Sequence, residues 1–207
     1  MSDNLLQQLN QKLESFYKKL PLVDTKEDII PGEGVSSASI LMIGEAPGYH
    51  ETVERRPFVG RSGKLLRKVI DEVGLDLKDI YISNIVKARP PDNRDPLPVE
   101  IKAFKPFLDE EIKIIDPKLI VTLGRYSMYK FLPNVKISAV HGRLHRVEWD
   151  SKIRFVLPMY HPAAALRGTK VKDMFTDDFK KIKKIIDWLD KSESSQDLET
   201  DIKEALF

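Results

Sequence analysis

The chain has 207 residues, 42% hydrophobic and 32% charged with a net charge of +2, which suits a domain with a full core and excludes disordered and fibrous classes. No apolar run approaches the roughly 20 residues needed to cross a bilayer, and the start, MSDNLLQQLNQKLESFYKKL, is amphipathic, unlike a secretory signal. There is no cysteine, which removes disulfides, thiol catalysis, Cys-ligated zinc and an ordinary iron–sulfur cluster, and fits a reducing, cytoplasmic setting.

Leu5, Leu6, Leu9, Leu13, Phe16 and Leu20 recur at helical spacing after a Ser2/Asp3 cap signal, which predicts a docking helix ended by Pro21. SILMIG (39–44) reads as a buried strand, followed by a polar loop and a helix over about 62–73 with Leu65, Leu66, Val69 and Ile70 on one face. IYISNIV (80–86) is the next strand, RPPDNRDPLP a proline-broken loop, and 99–115 a long amphipathic helix. KLIVTLG (118–124) is the third strand, with a short helix near 125–131 after it. VKISAV and LHRVEW, around His141-Gly142, suggest a hairpin over 135–149. IRFVLPMY (153–160) is the last central strand, HPAAALRGTK a loop, and about 176–189 a closing helix. From Asp190 onward six acids face two lysines in a polar, weakly patterned segment, so a mildly basic body precedes an acidic tail. That balance permits nucleic-acid binding without requiring it.

Strands alternating with helices predict a three-layer α/β/α sandwich on a central, mainly parallel four-stranded sheet. The expected organisation is an N-terminal helix and connector over 1–30 packed on the core, a main domain over 31–190, and a flexible tail over 191–207. Ligands of such sheets sit at the carboxyl ends of strands. There lie Gly44-Glu45-Ala46-Pro47, Asn84, Gly124 and His161-Pro162. The common phosphate and hydrolase signatures are missing: GEAPG is neither a dinucleotide fingerprint nor a Walker loop, no His pair has helical metal-ligand spacing, and no Gly-x-Ser-x-Gly elbow occurs. The loop residues have two readings each. Phe58 either stacks on a flat ring or plugs the core under its loop. Asn84 in an apolar strand either anchors a loop or reads a base edge. His161 is either a turn histidine or a donor to a ligand.

GEAPG (44–48), RPFVGRSGKLL (56–66), YISNIVKARPPDNR (81–94), PKLIVTLG (117–124) and HPAAALR (161–167) occur in this order. Together they resemble the uracil-DNA glycosylase superfamily, nearest to its family-four type, from about residue 32 to 189. The resemblance implies a monofunctional glycosylase of base excision repair, acting on uracil in single- or double-stranded DNA as a monomer, without a metal. It implies that the backbone of Gly44, Glu45 and Ala46 holds the uracil carbonyl, and that Glu51 lies against the C5 edge. It further implies that Phe58 stacks on the flipped base, Asn84 reads its edge and His161 bonds O2. Glu45 and Glu51 are both candidates to help the attacking water, because the position of the water-orienting Asp in another branch is Ala46. Arg61, Lys87, Arg89, Arg167 and Lys170 are expected on DNA phosphates, with Leu166 as a wedge. Family-four enzymes carry four cysteines around an iron–sulfur cluster; two of those places are Ala88 and Phe104 here, so no cluster is expected and apolar packing should replace it. His50 stands in the first-motif loop where the family commonly has acids. Two alternatives stay open: a catalytically weak or inactive uracil- or single-strand-binding module, and a glycosylase for hypoxanthine or xanthine.

Overall fold

The near-continuous apolar runs become one five-stranded sheet whose two faces are both covered. In the computed structural model, residues 2–192 are described. The elements are α1 (Ser2–Ser15), β1 (Ile40–Gly44), α2 (Tyr49–Glu54), α3 (Arg61–Glu72), β2 (Ile80–Asn84), α4 (Pro98–Ile115), β3 (Leu119–Leu123), α5 (Arg125–Tyr129), α6 (Ile137–Val140), β4 (His145–Trp149), β5 (Lys152–Met159), α7 (Pro162–Ala165) and α8 (Thr169–Ser192). The strand order is β2-β1-β3-β5-β4, parallel except for the β4–β5 pair. Alternate residues of each strand feed two apolar clusters. Ile40, Met42, Ile82, Val121 and Leu157 face α3 and α8, whereas Leu41, Ile43, Tyr81, Ile120 and Val156 face α1 and α4. A strand buried on both faces has no polar alternation to show, which is why these read as continuous runs.

Several expectations need correction. The sheet has a fifth strand, and the hairpin is β4–β5 rather than 135–149: Ile137–Val140 forms a helical turn, and Gly142 at φ 67 turns the chain toward β4. The polar loop after β1 contains α2, and the loop after β5 contains α7. The closing helix begins at Thr169, not near residue 176. The first helix stops at Ser15, whose hydroxyl donates to the Lys12 carbonyl (2.7 Å), a backbone contact of the kind that competes with helix continuation. The chain then makes a 3₁₀ turn at Tyr17–Lys19. The expected tail lies outside the described residues apart from 191 and 192, which extend α8. No helix among the described residues is long and apolar enough to cross a membrane.

The N-terminal segment is tied to the sheet in two ways. Leu6, Leu9 and Leu13 of α1 lie in the same apolar cluster as Phe104, Phe107 and Leu108 of α4. Farther on, Glu33 exchanges backbone hydrogen bonds with Ile82 (2.9 and 2.8 Å), and the Ile30 N–H donates to the Lys87 carbonyl (2.7 Å). The edge of β2 is therefore covered rather than left open for pairing with another chain.

Candidate functional site

The strand order places a topological switch beside β1, with β2 on one side and β3 on the other. Loops leaving β1 and β3 part there and open a crevice at the carboxyl ends. A cavity of about 510 Å³ fills it, lined among others by Glu45, Ala46, Phe58, Asn84, Tyr160 and His161.

Gly44 and Asn84 are register partners on β1 and β2. A Cβ at Gly44 would fall 2.4 Å from both Asn84 Oδ1 and Phe58 Cζ, so only glycine lets these two side chains meet above it. Gly44 thus lies beneath the cavity instead of in its lining. Phe58 has φ 54 and is buried, and a Cβ at Gly63 would sit 2.0 Å from its carbonyl group, so the Phe58 backbone is seated on the first turn of α3. The Phe58 and His161 ring centroids are 5.9 Å apart at 36°. The three side chains singled out from the sequence therefore share one cavity.

Asn84 is 3% exposed, and its Oδ1 has no hydrogen-bond partner. An orphan acceptor of this kind carries a desolvation cost of about 1–3 kcal/mol, which a ligand donor relieves. His161 caps α7, its Nδ1 accepting from the Ala163 N–H (3.2 Å). That bond puts the ring proton of the neutral form on Nε2. Burial, reinforced by Arg167, lowers the imidazole to about 4, with Glu51 pulling the other way. The ring is neutral at pH 7.

The two acids differ sharply. Glu51 is buried and its carboxylate accepts from the N–H groups of Gly48 (3.2 Å), Val59 (3.0 Å) and Gly60 (2.8 Å). It clasps the loop carrying Phe58 to the start of α2. Glu45 accepts from the Val86 N–H through its backbone carbonyl (3.0 Å), but its carboxylate has no hydrogen bond or ion pair among the described residues; burial and then Asp95 push that carboxyl up, while Arg125 opposes them. The Asp95–Arg125 ion pair at the cavity rim was not foreseen. The only available signal was Arg125 directly after Gly124, and its partner lies across the proline-broken loop. That loop is fixed by Glu100, which accepts from Arg94 (2.6 and 2.9 Å) and from the Leu97 N–H (2.7 Å).

Of the expected DNA contacts, Arg167 lines the cavity, Arg61 and Leu166 line an adjoining cleft, and Lys170 is exposed on α8. Arg89 is half-buried and lies with its guanidinium 5.5 Å from the Tyr49 ring centroid. Lys87 is a correction. It is 1% exposed, and its ammonium bonds Ser83 and pairs with Glu111 (2.5 Å) beneath the sheet, out of reach of any phosphate. It belongs to a fully buried run, Ile85–Ala88, in which the charge is carried inward by its pairing with α4.

The sequence profile described as the uracil DNA glycosylase superfamily matches residues 31–189. A type-4 uracil-DNA glycosylase of Sulfurisphaera tokodaii is 44% identical over 174 residues, covering 81% of this chain and 79% of the relative. Another from Saccharolobus solfataricus is 42% identical over 176 residues, covering 82% and 81%. A third, from Archaeoglobus fulgidus, is 40% identical over 172 residues, covering 80% and 85%.

Proposed function

Because the chain belongs to the uracil-DNA glycosylase superfamily, we propose that it hydrolyses the N-glycosidic bond of a flipped-out uracil in DNA, releasing the free base and an abasic site. The observation that carries this reading is the unpartnered Asn84 Oδ1 in the cavity that Phe58 and His161 also line. Uracil N3–H would donate to that oxygen while the Asn84 amide donates to O4. Cytosine presents the reverse pattern and would leave two buried groups unpaired. Phe58 offers a stacking face to offset part of the cost of extruding the base, about 1–3 kcal/mol. Glu51, fixed by three backbone N–H groups, serves as the wall against a C5 methyl.

As the N1–C1′ bond breaks, its electron pair passes to the uracil ring and accumulates at O2. The Nε2–H of neutral His161 would donate there, without giving up its proton, in the manner of an oxyanion hole. Water adds at C1′ and loses a proton. Glu45 is the acceptor this reading assigns, since the oxygens of Glu51 are committed to the backbone and the Glu45 carboxylate is free. No lysine among the described residues lines the cavity, so none of them places an amine for a Schiff base with the abasic sugar, which supports a monofunctional hydrolase.

The type-4 relatives raise the matter of a cluster. The places matching two of its ligands, Ala88 and Phe104, are 0% exposed within the apolar cluster that holds Leu6, Leu9 and Leu13. These residues offer no thiolate and do not fit a four-iron–four-sulfur group. Apolar packing between α1 and α4 takes its structural part here, and protein purified with stoichiometric iron and sulfide would overturn this.

The deciding experiment measures excision from oligonucleotides carrying uracil, hypoxanthine, xanthine or thymine, single-stranded and paired. Release of uracil, lost by about 10²–10³ in kcat in His161→Ala and strongly reduced in Asn84→Asp and Glu45→Gln, is the expected result. A wild type inert on every substrate that still binds uracil-containing strands would make the protein a binding module. Preferential release of a purine would reassign the pocket.

A further inference from the structure

A second cleft, of about 490 Å³, adjoins the uracil cavity and shares Gly48, Glu51, Ser62, Asn93, Ala163 and Arg167 with it. Its outer rim carries two apolar groups held in the open: Tyr49, 59% exposed, and Leu166, 44% exposed. Tyr49 is braced. The Arg89 guanidinium lies 5.5 Å from its ring centroid, Arg89 is itself fixed by a bond from Nε to Asn93 Oδ1 (2.9 Å), and the His50 ring packs edge-on at 5.5 Å. Two cations, Arg61 and Arg167, line the same cleft with no ion pair among the described residues. Its one acid, Glu51, spends its charge on three backbone N–H groups.

An exposed aromatic preset by a guanidinium, in a basic cleft continuous with a base pocket, is the pattern of a stacking platform beside a phosphate track. We infer that this cleft receives the nucleotide next to the flipped uracil, its base unstacked from the strand and laid against Tyr49 while its phosphate meets Arg61. This rests on the uracil-pocket reading above and deepens it. The cleft accepts any base by its π-face, so it confers strand recognition without sequence choice. It also favours substrates whose neighbouring base is free of a partner, hence single strands and frayed ends.

The test uses single-stranded oligonucleotides with excision-resistant 2′-fluoro-2′-deoxyuridine and 2-aminopurine placed directly 5′ or directly 3′ to it. Binding of the wild-type protein should change the 2-aminopurine fluorescence at one of the two positions. The change should be lost in Tyr49→Ala and kept in Tyr49→Phe. With ordinary uracil strands, KM should rise about five- to tenfold in Tyr49→Ala and return in Tyr49→Phe. Inhibition by free uracil, which fills only the inner pocket, is the internal reference. If free uracil inhibits and Tyr49→Ala matches the wild type in fluorescence and KM, the platform is refuted. The same holds if Tyr49→Phe is as impaired as Tyr49→Ala. If free uracil does not inhibit the wild type and no uracil is released, it is the pocket reading that fails.

Discussion

At the scale of single residues, His161 joins function to stability. In the folded chain it titrates at about 4, against about 6.5 when exposed. As the pH falls, the unfolded chain takes up this proton before the folded one, so acid favours unfolding across that interval. The stabilisation is complete above pH 6.5 and is lost as the pH drops through 4, amounting to about 3 kcal/mol at most. Urea unfolding at stepped pH should show the wild type losing stability between pH 7 and 4 more steeply than His161→Gln, whose side chain does not titrate. Parallel curves would mean that the imidazole is not held neutral by its surroundings. The same burial keeps the ring neutral, so under the proposed role activity above pH 5 should owe no titration to His161. Asn84 and Phe58 were legible as odd residues for their places, an amide in an apolar strand and an aromatic in a polar loop. What the residue string could not show is how Gly44 and Gly63 let them approach, since that depends on strand register and on where α3 begins.

At the scale of elements, the contrast between Phe58 and Lys87 is instructive. Both are exceptions to their local pattern, yet Phe58 joins the apolar cluster under the cavity and also lines the cavity, whereas Lys87 is buried away from it. A lysine after an apolar strand is usually solvated. Here Glu111, one face of α4 away, supplies a buried carboxylate, and no local signal pairs residues that far apart in sequence. The pair ties the end of β2, which carries Asn84, to α4. Its net contribution is small because two charges leave water, but breaking it strands the survivor. Lys87→Met should therefore cost about 3–5 kcal/mol in urea unfolding, while Lys87→Met with Glu111→Leu should return close to or above wild-type stability. A harmless single substitution would show that Glu111 is protonated or hydrated without its partner. The misread hairpin has a similar root. Ile137 and Val140 are β-branched and apolar, so their segment looks like a strand, but α6 ends where the Gly142 N–H donates to the Pro158 carbonyl (2.8 Å) and the chain turns away before it can pair.

At the scale of the whole molecule, the parallel sheet explains why the site was visible at all: it gathers the ends of β1, β2, β3 and β5 on one edge, so scattered motifs converge regardless of strand order. The order itself was not legible, because nothing in an apolar run names its neighbour. The same edge concentrates basic groups. Arg61 starts α3 beside the outer cleft, Arg167 and Lys170 follow the His161 loop, and all three are exposed. Lys87 is withdrawn from the set, so the proposed strand path is left with these three and Arg89. Each phosphate neutralised on a single strand adds about 0.7 to the slope of log affinity against log salt. Substituting Arg61→Gln together with Lys170→Gln should then flatten the salt dependence of KM for a single-stranded uracil oligonucleotide by about 1.4, leaving free-uracil inhibition where it was. Arg167 is the wrong choice for this measurement, because it also lowers the His161 pKa and would mix charge at the pocket with charge on the strand. A slope unchanged in the double variant would place the phosphate path on another face of the molecule, even with the pocket intact.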